Sequence, residues 1–272
     1  MRHKSFVYIH SVAKMAAVQK SVSNACHNVV LVGRTGAGKS CLGNVILGRN
    51  AFEEGDYSVS TTKVTSPVET FEQGNVKINV VDTIGIDDTE LSRAEVLGRI
   101  AKVVERYPGG IGLILFVFDG KLSEHEVMAF DMITQVLFPN CLDNVWLVRN
   151  RFKFANDPVA CKNDMAYLTA NKTPSGDVVR SLADSHRVYI PNIGDSADIA
   201  ADILRTTIVS NTAVYQPPAY QEICAAIHGK SSSIQADAID KIITTRLDIF
   251  PSNDLLRMAW QKWKQGSECS IL

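Results

Sequence analysis

Lys39 and Ser40 end the run Gly33-Arg34-Thr35-Gly36-Ala37-Gly38-Lys39-Ser40, which fits G-x-x-x-x-G-K-[ST] at every defined position. Residues of these types at this spacing make a phosphate cradle. The glycines let the backbone curl until several N–H groups point inward at phosphate oxygens. Lys39 adds a point charge for the β- and γ-phosphates, and the Ser40 hydroxyl is placed to ligate Mg²⁺. Such a cradle needs a strand before it and a helix after it. The apolar Val29-Val30-Leu31-Val32 supplies the strand, and Cys41 to Leu47 can continue as a helix whose positive dipole end faces the phosphates. A glycine-rich turn with an incidental lysine would not explain why every position fits. The expected nucleotide contacts are therefore Gly33, Arg34, Thr35, Gly36, Ala37, Gly38, Lys39, Ser40 and Cys41.

Other groups follow later strands. Asp82-Thr83-Ile84-Gly85 has the D-x-x-G form found after a hydrophobic strand in GTPases. Asp82 is expected to hold Mg²⁺ through water, and the Gly85 N–H to approach the γ-phosphate and register its loss. In the polar stretch 51–62, Thr61 or Thr62 can supply a second metal ligand, and residue type does not choose between them. After Val145-Trp146-Leu147-Val148, the chain reads Arg149-Asn150-Arg151-Phe152-Lys153 where GTPases place N/T-K-x-D. In that motif the acid pairs with guanine N1–H and the 2-amino group. Asn150 can still contact the base N7 and the Arg151 stem can stack on the base, but the acid is absent, and Asp157 lies too far along to stand in for it. Read from residues alone, the choice between guanine and adenine stays open, so an ATP-using P-loop protein is an alternative. Ile86 follows Gly85 where Ras-like proteins carry a water-positioning glutamine. Hydrolysis is then slow, or a group arrives from a partner or a second copy. Arg34 and Arg93 are nearby candidates for a trans-acting arginine, against the plainer account of a solvated surface arginine for each.

The elements that must position these residues alternate between strand and helix. Val64 to Phe71 reads as a strand with Pro67 suited to an edge, and Gly74-Asn75 turns it into Val76 to Val81. Leu91 to Tyr107 has helical apolar spacing and stops at Pro108-Gly109-Gly110. The unbroken apolar run Ile111 to Phe118 is the mark of a central parallel strand covered on both faces. Ser123 with Glu126 forms a capping box for the helix through Leu137. Val188-Tyr189-Ile190 is a last strand, followed by Asn192 and a helix over roughly 196–209. This order, with the phosphate loop, implies a three-layer α/β fold of the P-loop NTPase type: a mostly parallel central sheet with helices on both faces, plus a C-terminal helical extension. Ligands in such sheets sit at the carboxyl ends of the strands, where the loop Gly33 to Ser40, Asp82, Asn150 and Asn192 all converge.

These stretches carry a family resemblance. GRTGAGKSCLGNVILG, then STTK, VVDTIGIDDTE and PGGIGLILFVFDGKLSEHE, are similar to the AIG-type G domain. This is the avirulence-induced-gene, or immune-associated nucleotide-binding (GIMAP-like), GTPase family, related to septins and the chloroplast-import GTPases. The resemblance covers about residues 28–210. It implies GTP/GDP binding with Mg²⁺, slow turnover and self-association through the nucleotide face as a homodimer or larger oligomer. It also implies work at intracellular membranes. It assigns Thr62 rather than Thr61 as switch threonine, so Lys39 and Thr62 become the expected catalytic residues and Ser40, Thr62 and Asp82 the metal site. Asn192 matches the last base-contacting position. The family usually has Pro where Ile84 stands. A scaffold that binds GTP without hydrolysing it, forming dimers or filaments, is the alternative that the missing glutamine favours.

Bulk properties set the limits. The chain of 272 residues is 46% hydrophobic and 21% charged with net charge -1, which describes a globular protein with no electrostatic call on nucleic acid. Six cysteines are scattered without C-x-x-C pairs, which argues against a zinc site or disulfide framework and fits a reducing, cytoplasmic setting. Three segments are expected: a basic arm 1–27, the G domain 28–212 and a helical extension 213–272. The arm reads as flexible, as an upstream extension of a protein starting at Met15, or as a transit peptide. The extension ends Cys269-Ser270-Ile271-Leu272, a C-a-a-X form with Leu last that favours geranylgeranylation of Cys269 and a place on the cytoplasmic face of a membrane. The other reading is an ordinary thiol. One prenyl chain holds a membrane weakly, so a second signal is expected. Lys262 and Lys264 with Trp260 and Trp263 can supply it, unless that amphipathic stretch packs on its own domain.

Overall fold

Successive residues of β1 (Ala25–Gly33) feed two different cores. Val30 and Val32 point to one side of the sheet, Val29 and Leu31 to the other, and all four are buried. A strand with apolar residues at every position can only sit where both faces are covered, and the period of two does the sorting. The same rule places Phe116 and Phe118 of β4 (Leu113–Asp119) in the first core and Leu115 and Val117 in the second.

The computed structural model describes residues 25–54, 68–86, 93–102, 109–169, 186–191, 196–216 and 232–249, with Tyr107, Val179, Leu182, Ala225, Arg257, Trp260 and Gln261. The described strands form one sheet in the order β2-β3-β1-β4-β5-β6. β2 (Glu69–Gln73) is an antiparallel edge strand on β3 (Val76–Asp82). The pairs β1–β3, β1–β4, β4–β5 and β5–β6 are parallel, with β5 at Val145–Asn150 and β6 at Arg187–Tyr189. β1 therefore lies inside the sheet, and its carboxyl end opens between those of β3 and β4.

Helices cover both faces. α1 (Lys39–Leu47) and α5 (Ala197–Ser210) bury Leu42, Ile46, Ile203 and Leu204 in the second core. On the other face lie α2 (Arg93–Ala101), α3 (Glu124–Asp131), α4 (Pro158–Thr169) and α6 (Ser232–Ile249). Tyr107 joins the layers beneath the site, its hydroxyl donating to the carbonyls of Val29 and Asn79 at 3.2 and 3.1 Å.

Most expected elements stand where the sequence puts them, with two differences. The strand expected at Val64 to Phe71 is described only from Glu69 and runs on to Gln73, because its register follows the Gly74 turn. The helix capped by Ser123 keeps both capping-box bonds, but after Asp131 it widens into a π turn over Met132–Leu137, closed by the Phe138 N–H on the Ile133 carbonyl at 2.8 Å. Trp260 is buried to 0% exposure in the core and donates its indole N–H to Asp240 at 3.0 Å. It packs on its own domain, one of the two readings of that stretch.

Candidate functional site

The phosphate loop joins β1 to α1. Gly38, just before the helix, has φ 90°, and a Cβ on it would run into the amide of Asn150, so the position accepts glycine alone. α1 begins with no side-chain cap and no acidic residue in its first turn. Its leading N–H groups and dipole are thus left for an anion. Lys39 is 7% exposed and donates from Nζ to the Arg34 carbonyl at 3.0 Å, which holds the ammonium over the curl of the loop.

The two metal-site expectations from described residues meet. Ser40 Oγ donates to Asp82 Oδ2 at 2.6 Å across 42 positions of sequence, the short distance of a charge-assisted bond. Asp82 is fully buried at the end of β3. The strand end is locked by Thr83, whose hydroxyl and N–H both donate to the Leu31 carbonyl at 2.6 and 3.3 Å. The D-x-x-G turn then folds back on the loop. The Ile86 N–H donates to the Gly33 carbonyl at 3.1 Å, and Gly85 lies so close to Thr35 that a Cβ would overlap it. The D-x-x-G turn and the phosphate loop share a surface.

α1 also anchors the start of the loop expected to carry the switch threonine. Asn44 accepts from the N–H groups of Ala51 and Phe52 at 2.8 Å each, and donates to the Phe52 carbonyl at 2.9 Å and Glu54 Oε1 at 2.7 Å. Gly43 makes room for the Phe52 ring. Beside them, burial and then the Glu54 carboxylate push the Cys41 thiol up to about 11, so it stays protonated at neutral pH.

The base end is set by β5. Asn150, 1% exposed, donates from Nδ2 to the Ala37 carbonyl at 2.8 Å. Arg151 turns left-handed at φ 51°, and its Nη1 reaches both the Gly36 carbonyl and Asp119 Oδ2 at 3.0 Å. Arg149 pairs with Asp119 and Asp164 at 3.5 and 3.3 Å and faces the Phe152 ring at 5.2 Å. Asp157 is a helix cap: its Oδ1 accepts from the N–H groups of Val159 and Ala160 at 2.9 and 3.2 Å.

Arg34 has a neighbour within its own chain. Its Nε lies 3.7 Å from Glu126 Oε1, whose other oxygen closes the capping box of α3. Arg34 thus has an ion-pair partner on α3 while its side chain stays 44% exposed, which is compatible with both the solvated and the trans-acting accounts. Thr61, Thr62, Asn192 and Cys269 lie outside the described residues, as does the side chain of Arg93. Sequence reasoning missed Asp119 as a partner of Arg151. Its one signal was an acid closing the apolar strand β4.

These residues suit a nucleoside phosphate with a hard cation. Ser40 and Asp82 are oxygen donors, and among the described residues no group of three or more His, Cys, Asp or Glu forms a metal cage. Mg²⁺ takes such sparse sites, completing its shell with phosphate oxygens and water. Fold and site together define a P-loop nucleotide-binding protein of the G-domain type. Residues 27–171 match the AIG1 family, and the chain belongs to that family.

The chain is similar to Immune-associated nucleotide-binding protein 7 of Arabidopsis thaliana, 33% identical over 184 residues that cover 66% of this chain and 58% of that protein. Immune-associated nucleotide-binding protein 9 of the same plant is 36% identical over 130 residues, covering 47% of this chain and 37% of that protein. The match spans less than two thirds of either relative. A dimerization-deficient mutant of Toc33 from Arabidopsis thaliana superposes with a TM-score of 0.50 at 15% identity, over 70% of this chain and 88% of that chain, which is a likeness of fold.

Proposed function

We propose that this protein binds GTP and GDP with Mg²⁺ and works as a slow nucleotide-dependent switch. The observation that carries the reading is the 2.6 Å bond between Ser40 and Asp82, which brings the phosphate loop and the D-x-x-G turn to one point. Mg²⁺ would be held there by Ser40, Asp82 and phosphate oxygens, and when bound it neutralises charge on the β- and γ-phosphates. Lys39 adds its ammonium, the uncapped start of α1 adds N–H groups, and Gly85 and Ile86 carry the response of the turn. Titration calorimetry of the intact protein with Mg²⁺ is expected to give micromolar or tighter binding of GTP and GDP, abolished in Lys39→Ala. Absence of heat with the intact protein would sink the reading.

Slow turnover rests on Ile86, a fully buried apolar side chain where a water-positioning glutamine would stand. A second reading, a GTP-bound scaffold, draws support from the same residue. In both, a second copy associates through the nucleotide face, a property in keeping with the dimerization named for Toc33. Single-turnover phosphate release at rising protein concentration separates them, since turnover that grows with concentration excludes the pure scaffold. Prenylation at Cys269 would give either form a weak hold on a cytoplasmic membrane face, and intact-mass spectrometry of protein from eukaryotic cells tests the modification.

A further inference from the structure

The phosphate loop fixes the frame of the base-reading segment. Asn150 is bonded to the Ala37 carbonyl and Arg151 to the Gly36 carbonyl, two successive residues of β5 and its turn on two successive residues of the loop. With Asn150 and Arg151 so placed, the N-K-x-D frame runs Asn150-Arg151-Phe152-Lys153, and its acidic position falls on Lys153. That residue is exposed, and its ammonium stands 5.6 Å from the Phe154 ring centroid. A lysine ammonium has three donors and no acceptor. It cannot receive the N1–H and 2-amino donors of guanine.

Nearby carboxylates do not take over the task. Asp119 is paired with Arg149 and Arg151, Asp164 with Arg149, and Asp157 caps α4. Among the described residues at the carboxyl ends of β4 and β5, every carboxylate is thus engaged by a cation or by backbone N–H groups. We infer that this site does not read the purine 2-amino group. It accepts guanine, hypoxanthine and xanthine nucleoside triphosphates alike, with Lys153 favouring a 2-oxo acceptor over a 2-amino donor. This rests on the nucleotide-binding reading above and deepens it.

The test is displacement of a fluorescent GDP analogue from full-length protein in Mg²⁺ by GTP, ITP and XTP, for wild type, Lys153→Asp and Lys153→Ala. One hydrogen bond to a charged acceptor is worth a factor of about 10 to 100 in affinity, and its absence brings GTP and ITP within about threefold in the wild type. XTP binds at least as well as GTP. Lys153→Asp raises the GTP-to-ITP preference about tenfold or more and weakens XTP, whereas Lys153→Ala weakens XTP without raising that preference. Wild-type preference for GTP over ITP of about tenfold or more overturns the inference, because another group is then reading the amine. So does a Lys153→Asp protein whose preference is unchanged. Failure of the fluorescent analogue to bind wild-type protein at all overturns the nucleotide-binding reading itself, and is seen before any competitor is added.

Discussion

At the phosphate end of the site two links run between motifs, Ser40 to Asp82 and Ile86 to Gly33, and one runs within the loop, Lys39 to the Arg34 carbonyl. At the base end the links are made by long cations, Arg149 and Arg151, that gather Asp119, Asp164 and the Gly36 carbonyl. The first arrangement leaves the leading N–H groups of α1 without a side-chain cap, open to an anion. The second uses up its carboxylates in internal pairs. Phosphate recognition is common to every nucleotide and tolerates little change, whereas base recognition can drift while the frame that carries it is kept.

Lys39→Ala is the largest expected break at the phosphate end. Removing the ammonium lowers affinity for every nucleotide by about 100-fold or more, with thermal melting little changed. A base-selective loss would show that the two ends are not separable. Asp82→Asn is milder. It keeps an oxygen for Ser40 but removes the anionic partner of the cation. The affinity gained on adding Mg²⁺ is expected to fall about tenfold, while affinity in EDTA stays near the wild-type value.

Asn150→Ala probes the seam between the ends. It deletes a buried donor from the Ala37 carbonyl, so urea denaturation should show a loss of about 1–3 kcal/mol. Because Asn150 holds the loop as well as the base segment, affinity should fall for all purines alike. A loss confined to guanine would place its role on the base instead.

The legible parts of the molecule were those encoded locally. The phosphate loop, the D-x-x-G turn, the capping box and the central strand each declare themselves within about ten residues, because backbone conformation, caps and strand burial are short-range requirements. The pair Ser40 and Asp82 was also legible, since each belongs to a local motif at the carboxyl end of one of two adjacent strands. What escaped were side-chain pairs set by packing: Arg34 with Glu126, and Arg151 with Asp119 across 32 residues. An arginine in a loop looks the same in sequence whether it is solvated, bridges two elements or serves a partner. Asn44 was hidden for a similar reason, its four bonds to residues 51–54 being formed across a turn that composition reads as irregular. The π turn escaped because its widening follows from packing and leaves the apolar period nearly intact.

The smallest expected effect compares two thiols, one at each end. Cys41 beside the phosphate loop and Cys161 beneath the base segment are both pushed up to about 11 from 9.0, chiefly by burial. Next come the Glu54 carboxylate for Cys41 and the Asp164 carboxylate for Cys161. A thiol raised in the folded state binds its proton more tightly there than in the unfolded chain. Its contribution to stability is therefore complete below pH 9 and is lost as pH climbs through about 11. The melting temperature should hold up to about pH 9 and then decline, and a flat profile from 9 to 11 would contradict this. Glu54→Gln removes one cause at one end alone. Iodoacetamide should then label Cys41 at a lower pH while the labelling of Cys161 keeps its profile. Bound nucleotide should slow labelling of Cys41 more than that of Cys161, since only Cys41 belongs to the helix end that receives the phosphates.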